Sequence, residues 1–209
     1  MSDEPCTVIR DFRREDRDAA IEVLAVSFAG FGPLDQLVGD GDNAPDRRRS
    51  LVAMALKEGG KQDVIVAERG DQIEGVLTYA DRPDCIPCAR DSLAAVRTAG
   101  PRLLTLIRDF RKVDKVHPRT PHRHLPVLGV RPEAQGRGIG GLLMAEYVRR
   151  CDVAGLEGYL ETTRWADPSR RAQERLYERH GFAVAELVPM TDDWSMVSMK
   201  RPAATMSGG

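Results

Sequence analysis

The fold of this chain is decided by residues 127–143, which read VLGVRPEAQGRGIGGLL. The apolar run from Val127 to Val130 is typical of a buried strand, and the apolar residues that begin at Ile139 have helical spacing. A glycine-rich turn lies between them. The first N–H groups of a helix have no partner within the helix and attract anions. The segment therefore predicts a strand, a tight turn and a helix whose start binds a phosphate group.

The composition limits the class of protein. The chain has 209 residues, of which 42% are hydrophobic and 30% charged, and a net charge of −1, which indicates a globular protein without a strong field for nucleic acid. No stretch approaches the roughly 18 apolar residues of a membrane span, and no signal peptide is evident. We expect a cytoplasmic protein that binds neither nucleic acid nor membrane, with one domain over residues 1–200 and a disordered tail over 201–209.

Hydrophobic periodicity and turn residues predict the secondary structure. The expected strands are 6–11, 63–68, 72–80, 124–130, 158–163, 182–188 and 194–199. The expected helices are 16–28, 46 to about 59, 89–99, 101–113, 138–154 and 169–180. The strand–helix–strand unit over 124–163 implies parallel pairing, whereas the hairpins imply antiparallel pairing. We therefore predict a layered α+β fold with a mixed, mostly antiparallel sheet of about seven strands flanked by helices.

Two familiar phosphate-binding motifs fit the glycine turn poorly. A P-loop requires a lysine and a hydroxyl residue that Gly140, Gly141 and Leu142 do not supply. A dinucleotide-binding fold places its glycines after the first strand of a repeated βαβ array, but this turn comes late in the chain, among hairpins. A dinucleotide-dependent oxidoreductase is kept as a rival hypothesis.

Residues 124–182 resemble the GNAT superfamily of N-acetyltransferases. The acetyl-coenzyme A motif of that family matches QGRGIG at 135–140, preceded by VRP at 130–132 and followed by LYERHGF at 176–182. Details of the same segments resemble the puromycin acetyltransferase-like group. The resemblance implies a GNAT-like acyl-CoA N-acyltransferase fold, acetyl-coenzyme A as co-substrate without a metal, and acetyl transfer to a primary amine of a small molecule. Similar proteins are often dimers, which leaves a homodimer open.

The resemblance also assigns residues to coenzyme binding. The pantetheine arm would pair with the backbone of Leu128, Gly129 and Val130. The pyrophosphate would rest on the turn and helix start, formed by Gln135, Gly136, Arg137, Gly138, Ile139, Gly140 and Gly141. Arg137 could equally be a solvated surface residue. An asparagine that many relatives place before the tyrosine of the motif is missing here. Ser169, also expected to cap a helix, or Gln173 could replace its contact.

Acyl transfer from a thioester requires a neutral amine. An aliphatic amine has a pKa near ~10, so its deprotonation at neutral pH costs about 4 kcal/mol unless a base helps. Tyr177 matches the family tyrosine that protonates the leaving thiolate. Glu161 is a candidate base or a structural acceptor, and His124 is a second candidate, ahead of His122. We expect His117 on the surface.

Two further interpretations remain. A non-catalytic acyl-CoA sensor or interaction module would keep the glycine turn and lose the acid and the base. Cys85 and Cys88 form a lone C-x-x-C, which together with His117, His122 and His124 could bind a metal only if the loops met. We therefore expect no metal site.

Overall fold

The computed structural model describes residues 6–31, 34–35, 38–39, 41–54, 56, 62–82 and 111–204. The four helices with bounds in this part are α1 Arg17–Ser27, α2 Ala44–Met54, α3 Ile139–Ala154 and α4 Ala172–Arg179. The strands are β1 Thr7–Asp11, β2 Asp63–Arg69, β3 Gln72–Arg82, β4 His122–Val130, β5 Glu157–Trp165, β6 Ala183–Pro189 and β7 Trp194–Arg201. Short 3₁₀ turns cover Arg14–Asp16, Pro132–Ala134 and Pro168–Arg170, and residues 111–116 are helical.

Some predictions fall outside the described residues. These are the helix over 89–99, the first part of the helix over 101–113, the Cys85–Cys88 pair and the end of the helix expected near residue 59. Within the described residues, most predicted boundaries lie within two residues of the observed ones. Asp46 was expected to cap a helix, but α2 begins at Ala44, so Asp46 lies in its first turn.

The seven strands form one sheet in the order β1-β2-β3-β4-β5-β7-β6. Strands β4 and β5 are parallel, whereas β1–β2, β5–β7 and β6–β7 are antiparallel. The parallel pair is joined through α3, as a strand–helix–strand unit requires. The predicted fold class, a mixed and mostly antiparallel sheet flanked by helices, is confirmed.

The ladder between β4 and β5 is short. It comprises four residue pairs, from His122 opposite Glu157 to Leu125 opposite Leu160. Pro126 follows directly in β4 and has no N–H group with which to extend a ladder. Both strands nevertheless continue for five residues, to Val130 and to Trp165. The parallel pairing therefore holds only the first halves of β4 and β5 together.

The chain divides into two compact units, and β3, β4 and α3 contribute residues to both. In the first unit, one face of α1 is buried against the apolar residues of β2 and β3, in a cluster that includes Ala20, Leu24, Val66 and Val76. The spacing of the buried residues of α1 is the 3.6-residue period that the sequence shows. This core positions the second half of β4 and the start of α3.

The second unit has a core of aromatic and apolar side chains. Tyr147 of α3 and Tyr159 of β5 are completely buried, and the Tyr147 hydroxyl donates a hydrogen bond to the Arg123 carbonyl over 2.6 Å. Strand β7 extends to Arg201, whose guanidinium bonds Asp152, and the Ala204 amide bonds the same carboxylate. Arg201 and Ala204, which were predicted from the sequence to lie in a disordered tail, thus have hydrogen-bond partners in the structure.

Among the residues that the structure describes, no helix has the length and apolar character needed to cross a lipid bilayer.

Gly129 in β4 marks a close approach to α1. A Cβ atom at this position would lie 2.4 Å from Ser27 Oγ and 2.8 Å from Leu24 Cδ2. We expect Gly129→Ala to lower the free energy of unfolding by about 1–3 kcal/mol, because the strand and helix must separate. Urea unfolding followed by circular dichroism measures this. Adding Ser27→Ala, which removes the nearer atom, should recover part of the loss, and a Gly129→Ala variant as stable as wild type would contradict the packing.

Candidate functional site

The glycine-rich corner comprises residues 131–141, between the end of β4 and the first turn of α3. Gly136 and Gly138 have φ angles of +78° and +86°, which side chains with a Cβ atom rarely adopt. An added Cβ atom at either position would meet nothing within 4 Å. The glycines are therefore required by the backbone conformation, and they leave open space beside the chain.

Hydrogen bonds fix the corner to the neighbouring strand. The Arg131 amide donates to the Glu74 carbonyl over 2.8 Å, and Arg131 Nε donates to the Ile73 carbonyl. At the other end, a Cβ atom on Gly75 would lie 2.9 Å from both Ile139 and Leu143, so α3 lies directly against β3. These contacts position the start of α3, where the Leu142 amide donates to the Gly138 carbonyl over 3.0 Å.

Two side chains of the corner have partners that the sequence did not indicate. Arg137 is half exposed, and its guanidinium lies 3.7 Å from the carboxylate of Glu74, which is buried. The amide of Gln135 donates to the carbonyl of Val130 over 3.1 Å. The carbonyl of Val130, which was expected to pair with pantetheine, therefore already accepts one hydrogen bond from a side chain.

A cluster of three buried histidines and one half-buried glutamate lies in the second unit. His124 Nε2 is 2.6 Å from Glu161 Oε2, and His117 Nδ1 is 3.1 Å from Glu161 Oε1. His117 Nε2 is 3.0 Å from His122 Nε2, and His122 Nδ1 is 2.8 Å from the Thr120 carbonyl. The four side chains therefore form one continuous hydrogen-bonded chain, which we call the His–Glu chain.

Strand geometry explains how the His–Glu chain assembles. Alternate residues of a strand share a face, so His122 and His124 point the same way from β4, and Tyr159 and Glu161 do so from β5. The register places His124 opposite Tyr159 and Glu161 opposite Ser198 of β7. His117 follows the helical residues 111–116 and packs its ring against those of His122, His124 and Tyr159 at centroid distances of 4.7 to 5.1 Å.

The His–Glu chain shifts the protonation of its members. Burial by itself raises the pKa of Glu161, but attraction to His124 and hydrogen bonds from both histidines outweigh it and hold the pKa well below the usual value. Burial lowers the pKa of His122, since its charged form loses hydration. At neutral pH Glu161 is therefore a carboxylate, and its contacts with the two histidines make it a weak base.

Tyr177 lies in α4, against the opposite face of β5. Its ring packs edge-on against Phe182, which in turn lies 2.9 Å from the position of a Cβ atom on Gly158. Gly158 and Glu161 alternate across the strand, so the structure does not place Tyr177 in contact with the His–Glu chain. Burial raises the pKa of Tyr177 to about 12, which keeps the phenol protonated at neutral pH.

The turn before α4 differs from expectation. Asp167 accepts a hydrogen bond from the Ser169 amide over 2.9 Å, and Ser169 lies within the 3₁₀ turn. Helix α4 begins at Ala172 with Arg171 as its N-cap. The prediction that Ser169 caps this helix is wrong, because the sequence does not reveal the extra turn. Trp165 stacks under the guanidinium of Arg170 at 3.5 Å.

His117 also differs from expectation, since it is 4% exposed rather than a surface residue. The alternation His122–Arg123–His124 could have indicated two histidines on one face, but nothing in the sequence shows that His117 returns to that face. No group of side chains in the described ranges has the geometry of a metal site.

Comparison with known families adds one match. Residues 108–184 match the family model described as an acetyltransferase (GNAT) domain. The matched region includes the glycine-rich corner, the His–Glu chain and Tyr177.

Solved structures show the same fold over nearly the whole chain. A histone acetyltransferase HPA2 and related acetyltransferase from Corynebacterium glutamicum aligns with a TM-score of 0.73 and 22% identity, covering 98% of this chain and 99% of that chain. The ribosomal-protein-S18-alanine N-acetyltransferase of Escherichia coli aligns with a TM-score of 0.57 and 16% identity, covering 97% of each chain. The PaiA N-acetyltransferase of Thermoplasma acidophilum, in complex with coenzyme A, aligns at 0.56 and 16%, covering 94% of this chain and 99% of that chain.

An ion pair holds α4, and with it Tyr177, against β5. Arg164 of β5 makes two hydrogen bonds to Glu174, which is 4% exposed. We expect Glu174→Gln to lower the free energy of unfolding by about 2–3 kcal/mol, because Arg164 loses its countercharge in a mostly buried place.

Urea unfolding measures this change. The double variant Arg164→Met/Glu174→Leu is the control, since it removes both charges and should cost less than the single substitution. A Glu174→Gln variant within about 0.5 kcal/mol of wild type would show that the pair does not hold α4.

Proposed function

We propose that this protein is a GNAT N-acetyltransferase that transfers acetyl from acetyl-coenzyme A to a primary amine of a small molecule in the cytoplasm. The observation that carries the proposal is the 2.6 Å hydrogen bond between His124 and Glu161, on neighbouring strands of the sheet. Such a pair supplies the base that acyl transfer to an amine requires. The family match and the shared fold support the same reaction.

His124 acts as the general base in this proposal. Glu161 is a carboxylate and accepts, so His124 donates its Nε2 proton to it, and in the neutral ring Nδ1 is then the basic nitrogen. The carboxylate fixes this tautomer and stabilises the imidazolium that forms when the amine loses its proton. Glu161 is thus an orienting partner rather than the base, because its own proton affinity is too low.

Tyr177 acts as the general acid in this proposal, which requires the thioester to lie at the edge of β5, within reach of both faces of the strand. When the tetrahedral intermediate collapses, the carbon–sulfur bond breaks and the sulfur leaves as a thiolate. Burial raises the pKa of Tyr177 to about 12, so the phenol is protonated at neutral pH and is present as a donor to the departing sulfur. Cys151 takes no part as a covalent carrier, since burial raises the pKa of its thiol to about 11.

The glycine-rich corner binds the pyrophosphate of the coenzyme. Helix-start amides and an open, side-chain-free approach at Gly136 and Gly138 suit a diphosphate. Arg137 exchanges its contact with Glu74 for a phosphate in this proposal. The pantetheine arm pairs with the backbone of β4 at Leu128 and Gly129, beyond the four pairs that join β4 to β5.

The acceptor approaches the face of β5 that carries Glu161. Among the described residues, Ser198 Oγ on this face is buried and has no hydrogen-bond partner, and neither has Trp194 Nε1. Both belong to β7, opposite Glu161 and Trp165. Unsatisfied buried donors cost free energy, so polar groups of an amine substrate are suitable partners for them. A sensor without catalysis would have no use for a buried base.

Gly138→Ala tests the corner. The added Cβ disfavours a φ of +86° by about 1–2 kcal/mol, so we expect acetyl-coenzyme A to bind about tenfold more weakly in calorimetry. Gly155→Ala is the matched control, because Gly155 has a φ of +66° and equally open surroundings at the far end of α3. It should lose stability and keep its affinity. Binding of NAD or NADP in place of acetyl-coenzyme A would favour the oxidoreductase instead.

Tyr177→Phe tests the chemistry. With a panel of aliphatic amines, polyamines and amino acids, wild-type protein should release coenzyme A thiol, and Tyr177→Phe should lower kcat by at least about a hundredfold with unchanged acetyl-coenzyme A affinity. Tyr147→Phe is the control for loss of a buried hydroxyl. Tight binding of acetyl-coenzyme A without turnover of any amine would instead indicate a sensor.

A further inference from the structure

The His–Glu chain contains two histidines that the proposed reaction does not use. His117 is 4% exposed, and His122 is completely buried. Burying two imidazoles inside a sheet face costs free energy unless their nitrogens are hydrogen-bonded. All four of their ring nitrogens lie within 3.1 Å of a polar atom: the Thr120 carbonyl, each other and Glu161.

The hydrogen-bond partners at the two ends of the His117–His122 pair fix how many protons the four ring nitrogens carry. A carbonyl oxygen can only accept, so His122 Nδ1 carries a proton and donates it to Thr120. The carboxylate of Glu161 also accepts, so His117 Nδ1 carries a proton as well. Between the rings, the 3.0 Å contact joins the two Nε2 atoms, and a hydrogen bond there needs one further proton. Three protons on four ring nitrogens give the pair one positive charge.

We propose that the His117–His122 pair carries one permanent positive charge at neutral pH, located on His117 against Glu161, and that this charge keeps His124 neutral and able to accept a proton. The second half of the proposal, that this charge keeps His124 neutral and able to accept a proton, rests on the proposed function. His117 and His122 are positioning residues, because they act on the substrate only through Glu161 and His124.

Electrostatics locates the charge on His117. An imidazolium next to a carboxylate is favoured, whereas His122 has a carbonyl as its other partner and is fully desolvated. Among the described residues, the titratable groups that face Glu161 are His117, His122 and His124, with Tyr159 beside them on β5. Lys200 of β7, opposite Tyr159, is 3.7 Å from Glu157.

The charge sets the strength of the base. Pairing with a lone carboxylate raises the pKa of a histidine, so a larger fraction of it is protonated at neutral pH. Here Glu161 is shared with the cation on His117, so a second cation on His124 is attracted less. His124 therefore stays neutral until the amine approaches. The amine then gives its proton to His124 Nδ1 as the nitrogen–carbon bond forms, and the protons of His117 and His122 stay in place.

Nitrogen NMR of ¹⁵N-histidine-labelled protein tests the charge without any turnover. The chain has four histidines, so the spectrum can be assigned with single His→Gln variants. At pH 7.5 in the free protein, we expect the two ring nitrogens of His117 to have imidazolium shifts and His122 and His124 to be neutral. A neutral His117, or an imidazolium on His122, would overturn the first half of the proposal.

The pH dependence of kcat/KM tests the second half. In His117→Gln the side-chain amide can still donate to Glu161 but carries no charge. The acidic limb of the kcat/KM profile should therefore move up by about one pH unit. Below that limb kcat/KM should be roughly tenfold lower than in wild type, and at high pH the two should be equal. His122→Gln keeps an acceptor for His117, so its acidic limb should lie at the wild-type pH. His122→Leu removes that acceptor, so its acidic limb should shift as that of His117→Gln does.

Two results separate this proposal from the proposed function. If the wild type transfers no acetyl group, the proposed function fails, while the NMR spectrum still decides the charge on His117. If transfer occurs and the acidic limb of His117→Gln coincides with that of wild type, the second half of the proposal is wrong. If the variants do not fold, a wild-type NMR titration in which His124 is already an imidazolium at pH 7.5 overturns it equally.

Discussion

The carboxylate of Glu161, whose side chain is 16% exposed, is the constraint on which the second unit depends. Removing a carboxylate from water costs several kcal/mol unless its oxygens accept good hydrogen bonds. Both oxygens do so here, from His124 at 2.6 Å and from His117 at 3.1 Å. Satisfying them requires the parallel register of β4 and β5, the alternation of His122 and His124 along β4, and the return of the chain after residue 116. A polar requirement thus specifies strand register in a sheet whose other contacts are mostly apolar.

The first unit depends on the absence of side chains. Gly75 and Gly129 allow α3 and α1 to lie against the sheet at distances that a Cβ atom would prevent, and Gly136 and Gly138 allow the turn between β4 and α3. Gly75, Gly136 and Gly138 position the start of α3, and the N-terminal end of a helix is where main-chain N–H groups attract anions. The two units are therefore organised by different means, one by packing against glycine and the other by a hydrogen-bonded chain.

Local patterns in the sequence predicted much of this structure. The turn residues between strands, the helical spacing of α1 and α3 and the glycine corner are all determined by neighbours along the chain, so the strands, helices and mixed sheet were correctly expected. Glu161 was recognised as a candidate base because a carboxylate in a strand needs a partner, and His124 because a histidine titrates near neutral pH.

Other features could not be predicted because they depend on contacts between distant residues. The burial of His117 requires the chain to turn back at Pro118 and Pro121 onto a sheet face, which no local pattern encodes. The cap at Asp167 depends on a 3₁₀ turn that only the folded loop reveals. The division of roles between Glu161 and His124 follows from two interatomic distances, and the sequence alone left both residues as candidate bases.

The pH dependence of kcat/KM in wild type and in His124→Gln tests the central claim, that His124 oriented by Glu161 removes the proton of the amine. The wild type should show an acidic limb from one histidine and then a plateau. In His124→Gln the rate at neutral pH should fall by at least about a hundredfold and then rise tenfold per pH unit, following the free amine. Identical profiles for the two proteins would contradict the account.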